Sequence, residues 1–105
     1  MKFFDFVTIV ILIKRTLDDF GKLHSKVAEP LNNWYNIAKK SDWGSFEDVK
    51  KTFNGVGAIG NAGFVFNIIG NHFRLVAMIF FDKRTIYIRF IGTHSEYDKI
   101  NANTI

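Results

Sequence analysis

Two arginines, a histidine and a tyrosine in the C-terminal third of the chain could act together on a phosphate. Arg74 lies in Asn71-His72-Phe73-Arg74-Leu75-Val76, and Arg89 in Tyr87-Ile88-Arg89-Phe90-Ile91. His94 and Tyr97 follow at once, in Gly92-Thr93-His94-Ser95-Glu96-Tyr97-Asp98. Arginine offers a planar fork of donors that matches phosphate oxygens. Histidine titrates near neutral pH and is the commonest general acid or base. The same residues also admit a plainer reading. Isolated polar side chains are the rule on a solvated sheet face, strand arginines often only shield apolar neighbours, and a lone histidine usually sits on the surface. His24 and His72 carry no case for chemistry of their own.

Other chemistries find little support. The chain has no Cys, so it has neither a disulfide framework nor a thiolate metal site. No pair of histidines stands at ligand spacing, so no metal is expected. Gly55-Val56-Gly57-Ala58-Ile59-Gly60 fits G-x-G-x-x-G, but it lacks the preceding strand and following helix of a dinucleotide fold and reads as a flexible turn. No nucleophile-elbow spacing is present.

The elements that must position these residues follow from periodicity. Val7-Thr8-Ile9-Val10-Ile11 is dense in β-branched residues and reads as a buried N-terminal strand within residues 1–13. The apolar run from Phe3 to Ile13 is too short to span a membrane, which takes about 20 residues. Thr16 is the expected cap of a first helix with Asp18 and Asp19 in its first turn, and Leu17, Phe20, Leu23 and Val27 form its apolar stripe. Glu29-Pro30 reads as a restart. Leu31, Trp34, Tyr35 and Ala38 then give the clearest helical stripe in the chain. Ser45-Phe46-Glu47-Asp48 opens a third, short helix with Phe46, Val49 and Phe53 inward and Lys50 and Lys51 outward.

From Gly55 the period switches from 3.6 to 2. Strands are expected near 56–59, 64–69, 73–81 and 85–91, with turns at Asn61-Ala62-Gly63, Gly70-Asn71 and Asp82-Lys83-Arg84 and a terminal helix or turn over 93–100. Short hairpins make these strands antiparallel, and the first strand must join the same sheet to bury its apolar run. The fold class is α+β, with two or three N-terminal helices on one face of a mostly antiparallel sheet of four to five strands and the other face partly open. Alternation sends Phe64, Phe66 and Ile68, then Phe73, Leu75, Ala77, Ile79 and Phe81, then Ile86, Ile88 and Phe90 toward the helices. It leaves Asn67, Arg74 and Arg89, with Ile91, on the open face.

The 105 residues make one domain, long enough to bury roughly two-thirds of its unfolded surface. Hydrophobic residues make up 48% and charged residues 23%, as in an ordinary globular protein, and the twelve Phe imply a core of large flat rings. The formal charge of +4 favours a polyanionic partner without choosing between nucleic acid and an acidic protein. A reducing, cytoplasmic setting fits the lack of cysteine.

Ala38-Lys39-Lys40-Ser41-Asp42-Trp43, Val65-Phe66-Asn67-Ile68, Gly70-Asn71-His72-Phe73-Arg74-Leu75-Val76 and Gly92-Thr93-His94-Ser95-Glu96-Tyr97-Asp98 together resemble the HigB toxins, a branch of the RelE-like type II toxin–antitoxin superfamily. The resemblance spans about residues 13 to 105, and the Phe-rich first dozen residues look longer than the family's usual start. It implies a RelE-like α+β fold and a bacterial endoribonuclease that cuts mRNA, usually in the ribosomal 30S A site, and is neutralised by a HigA-like helix-turn-helix antitoxin. It implies a reaction without cofactor or metal, in which the ribose 2′-OH attacks the adjacent phosphate. On this reading Arg74 holds the phosphate, His94 moves a proton, and Tyr97 orients or stacks on the RNA. Lys50, Lys51, Asn67, Asn71 and Arg89 are the expected RNA contacts. The rival expectation is a non-catalytic basic module that binds RNA or protein and blocks translation through charge alone.

Overall fold

The computed structural model describes residues 9–102. The order is β1 (Val10–Leu12), α1 (Lys14–Leu23), α2 (Ser25–Lys40), α3 (Phe46–Thr52), β2 (Val56–Ile59), β3 (Gly63–Ile68), β4 (Phe73–Phe80), a 3-10 turn (Phe81–Lys83), β5 (Thr85–Thr93) and α4 (His94–Asp98). One sheet runs β1-β5-β4-β3-β2. β2, β3, β4 and β5 pair antiparallel in sequence, and β1 lies parallel to β5, with Ile11 opposite Ile86. This is the expected α+β architecture. Among the described residues no helix is long and apolar enough to cross a membrane.

The helices cover one sheet face. Leu17, Val27, Leu31, Trp34, Ala38 and Val49 bury against Phe64, Phe66, Ile68, Phe73, Leu75, Ile79, Ile86 and Ile88. The aromatic core is real: Trp34 meets Phe66 edge-on at 5.2 Å and Phe53 meets Phe66 at 5.4 Å. A fully buried side chain such as Phe66 contributes roughly 1.5–3 kcal/mol over its exposed state.

The helical layer departs from expectation at its boundaries. α1 starts two residues before Thr16, after Ile13 in the left-handed region (φ 66°), and Thr16 lies inside it. Asp18 and Asp19 serve not as cap charges but as partners one turn on from Lys14 (2.9 Å) and Arg15 (3.6 Å). The break falls at His24, not at Glu29-Pro30. There the His24 ring stacks on Phe20 at 4.2 Å and abuts Phe73 of β4 at 6.0 Å, an aromatic contact at the junction of α1 and α2. Leu23, at the end of α1, is consequently 81% exposed rather than part of the stripe. Pro30 sits inside α2, where it forfeits only the bond to the carbonyl of Lys26 while Val27, Leu31 and Trp34 hold the helix on the core. Ser45 makes no side-chain cap; Asp48 instead accepts from the Gly44 backbone N–H at 2.8 Å. The expected strand over 7–11 lies partly outside the described residues, and the observed pairing begins at Val10.

Two departures in the sheet shape the open face. The β3–β4 connection is not a two-residue Gly70-Asn71 turn. Ile68 pairs with Phe73, leaving residues 69–72 as the loop, with positive φ at Ile69 and Gly70. Further on, Val76 pairs with Phe90 but Ala77 pairs with Ile88, so β5 carries a bulge at Arg89. An extra residue flips the alternation beyond it. Ile91 therefore enters the core at 8% exposure, and Phe90 turns to the open face, the reverse of the expected assignment.

Candidate active site

The open face ends in a cluster built by β4, the β3–β4 loop and α4. Arg74 stands opposite Asn67 on β3 and Gly92 on β5. Its Nη1 donates to the Asn71 backbone carbonyl at 3.1 Å and its Nη2 to Asn71 Oδ1 at 3.2 Å. The guanidinium lies 6.0 Å from the Tyr97 ring centre. Tyr97 in turn abuts Phe90 at 6.4 Å. Two of the five guanidinium N–H groups are thus spent on Asn71, and the fork is held in place with donors left over.

His94 and Tyr97 owe their places to the head of α4. Thr93 Oγ1 accepts from the Glu96 N–H at 3.1 Å, and Glu96 Oε1 accepts from the Thr93 N–H at 2.8 Å, a reciprocal cap. The His94 backbone N–H donates to the His72 carbonyl at 2.9 Å, which ties α4 to the loop beneath it. His94 is thereby the first residue of α4, half exposed, with Nδ1 3.7 Å from Asp98 Oδ1. Tyr97 follows three residues on, on the same side of the helix. Gly92 makes this approach possible. A Cβ there would lie 2.5 Å from Phe90 Cζ and 2.8 Å from Glu96 Oε1.

Asn71 contacts Arg74 directly, Asn67 lies opposite Arg74 across the strands with its side chain beside Gly55, and His94 shares α4 with Tyr97 and has Asp98 as its side-chain neighbour. Arg89 shares the open face but lies further along it, where its Nε donates to Met78 Sδ at 3.3 Å. Lys50 and Lys51 are not brought to the cluster. They ride on α3, whose Phe46 packs on Phe64 from the helical side of the sheet, and Lys50 sits over the Phe46 ring at 5.2 Å near Glu47. Sequence reasoning missed Phe90, because the bulge has no signature in an apolar run. It also missed the support from Thr93 and Glu96, although T-x-x-E was there to be read as a capping box.

Fold and site together define a small basic α+β domain of the RelE-like kind, with Arg74 held by Asn71 and set over Tyr97 at one end of its open sheet face. The profile of the HigB toxin family, described as the RelE-like toxic component of a toxin–antitoxin system, matches residues 27–100, and the chain belongs to that family. Among its relatives is the mRNA interferase toxin HigB of Escherichia coli K12, 51% identical over 39 residues that cover 37% of this chain and 38% of that protein. The mRNA interferase HigB of Shigella flexneri matches to the same extent. The mRNA interferase HigB of Escherichia coli O6:H1 is 25% identical over 92 residues, covering 86% of this chain and 89% of the relative. The chain thus matches only 38% of the length of the K12 and Shigella proteins.

Proposed function

We propose that this chain is the toxin of a type II toxin–antitoxin pair, a metal-independent endoribonuclease that cuts mRNA. The observation that carries it is the forked Arg74 set against Tyr97, at the foot of the helix whose first residue is His94. Relatives named as mRNA interferases support the substrate. In the reaction the ribose 2′-oxygen bonds to the adjacent phosphorus and the P–O5′ bond breaks. The 2′-hydroxyl loses a proton and the departing 5′-oxygen gains one. The products are a 2′,3′-cyclic phosphate, or the 3′-phosphate after hydrolysis, and a 5′-OH. Negative charge grows on the phosphate oxygens in the transition state, and a fixed guanidinium stabilises it without reorganising. His94, half exposed at the head of α4, takes the first proton or gives the second on this reading. Tyr97 and Phe90 offer ring faces to the flanking bases, and Asn67, Asn71 and Arg89 offer donors to the backbone.

Cleavage belongs in the cytoplasm, on mRNA in the A site of translating ribosomes, with a HigA-like helix-turn-helix antitoxin as the neutralising partner. The test is purified protein added to ribosomes programmed with mRNA, and to the mRNA alone, followed by mapping of new 5′-OH ends. New ends with ribosomes support the reading. Blocked translation without new ends overturns it in favour of a binding module that acts through charge.

A further inference from the structure

Resting on the ribonuclease reading, we infer that the open face continues past Arg74 into a second RNA subsite. It is a hollow of about 180 Å³ lined by Phe80, Lys83, Thr85 and Tyr87, where a base stacks on Tyr87 and a phosphate meets Lys83. Tyr87, the third residue of β5, is a large ring left 36% exposed although β1 and β4 flank its strand. Phe80 meets it edge-on at 5.9 Å and an 87° interplanar angle, so the ring is braced as a fixed plane rather than a mobile side chain. Bases of any identity stack on such a plane.

Charge argues for the occupant. β3, β4 and β5 contain no aspartate or glutamate at all, and their charged residues are Arg74 and Arg89. Lys83 adds a cation at the far end, and Asp82 beside it does not line the hollow. Arg89 adds a cation on the open face between the two sites. Position argues for continuity. Met78 stands opposite Tyr87, four residues along β4 from Arg74, a span of roughly 13 Å at the usual strand rise. A nucleoside on either side of a phosphate at Arg74 does not reach that far, but a longer strand laid along the face does.

The test compares oligonucleotides of two lengths in 2′-O-methyl form, which cannot undergo the attack, by fluorescence anisotropy. Tyr87→Ala should weaken the longer strand about ten- to a hundred-fold and leave a dinucleotide unchanged, and Tyr87→Phe should restore the affinity. Lys83→Ala should lower the salt slope of the longer strand by about one. With cleavable RNA, KM should rise for the longer substrate while kcat holds. If Tyr87→Ala unfolds, Tyr87→Leu keeps the bulk without the plane and should show the same length-dependent loss. Equal weakening at both lengths, or none, overturns the subsite, as does a loss confined to antitoxin binding, which would make the hollow a protein interface. Length-dependent binding through Tyr87 by a protein that yields no new 5′-OH ends overturns the ribonuclease and leaves the subsite standing.

Discussion

The guanidinium of Arg74 lies over the Tyr97 ring, 6.0 Å from its centre, although the two come from different elements and 23 positions apart in the chain. A cation over a ring face gains about 0.5–1 kcal/mol when exposed and more when desolvated. The pairing therefore fixes the fork and the ring relative to each other before any substrate arrives.

From this follows the sharpest expectation. Arg74→Ala should cut single-turnover cleavage by about 10²–10³-fold, the scale of losing one transition-state donor. Arg74→Lys should recover only part, since an ammonium restores the charge but not the fork. Both variants should melt close to the parent, because the contacts of Arg74 with Asn71 are at the surface. Full toxicity of Arg74→Ala in growing cells would remove Arg74 from the mechanism.

His94 makes a separable prediction. His94→Ala should slow cleavage by about 10²–10⁴-fold if the imidazole carries a proton. His94→Lys places a fixed cation at the same position and should remain as slow as the alanine variant. Rescue by lysine would assign His94 an electrostatic role only.

Gly92 links the site to stability. Gly92→Ala puts a methyl against the Phe90 ring and the Glu96 carboxylate that caps α4. Overpacking of this kind costs about 1–3 kcal/mol, readable as a lower urea midpoint at unchanged slope. Activity should fall further than stability, because displacing Glu96 and Phe90 moves the helix head that carries His94 and Tyr97.

Much of this layout was legible from residues 56–93. Short polar breaks forced antiparallel hairpins, and alternation put Asn67 and Arg74 on the open face, where register makes them direct partners. The helix boundary was not legible. Proline at position 30 is locally a start signal, but the core contacts of Val27 and Leu31 outweigh the single bond it removes. The left-handed pair Ile69-Gly70 was equally hidden, since isoleucine rarely adopts positive φ. Lys50 and Lys51 looked like RNA contacts by charge alone, and only the packing of Phe46 on Phe64 shows which layer they occupy. Lys50→Ala and Lys51→Ala should accordingly leave cleavage of a short RNA unchanged, and a large loss there would mean that the substrate wraps around to the helical side.

The bulge at Arg89 gives the most direct check on the architecture. Phe90 and Ile91 are both apolar, so the sequence cannot say which one faces the helices; alternation from Ile86 and Ile88 favours Phe90, and one extra residue reverses it. The reversal has opposite consequences at the two positions. Ile91→Ser removes a core side chain opposite Leu75 and buries a hydroxyl, so it should cost about 2–5 kcal/mol, the range of large core truncations. Phe90→Ser should cost less stability, yet it strips the ring that backs Tyr97, so its main effect should be weaker RNA binding and slower cleavage. Denaturant midpoints and cleavage rates for the two variants should therefore rank in opposite orders. A strand without the bulge would make Phe90→Ser the unfolding variant and leave Ile91→Ser nearly silent.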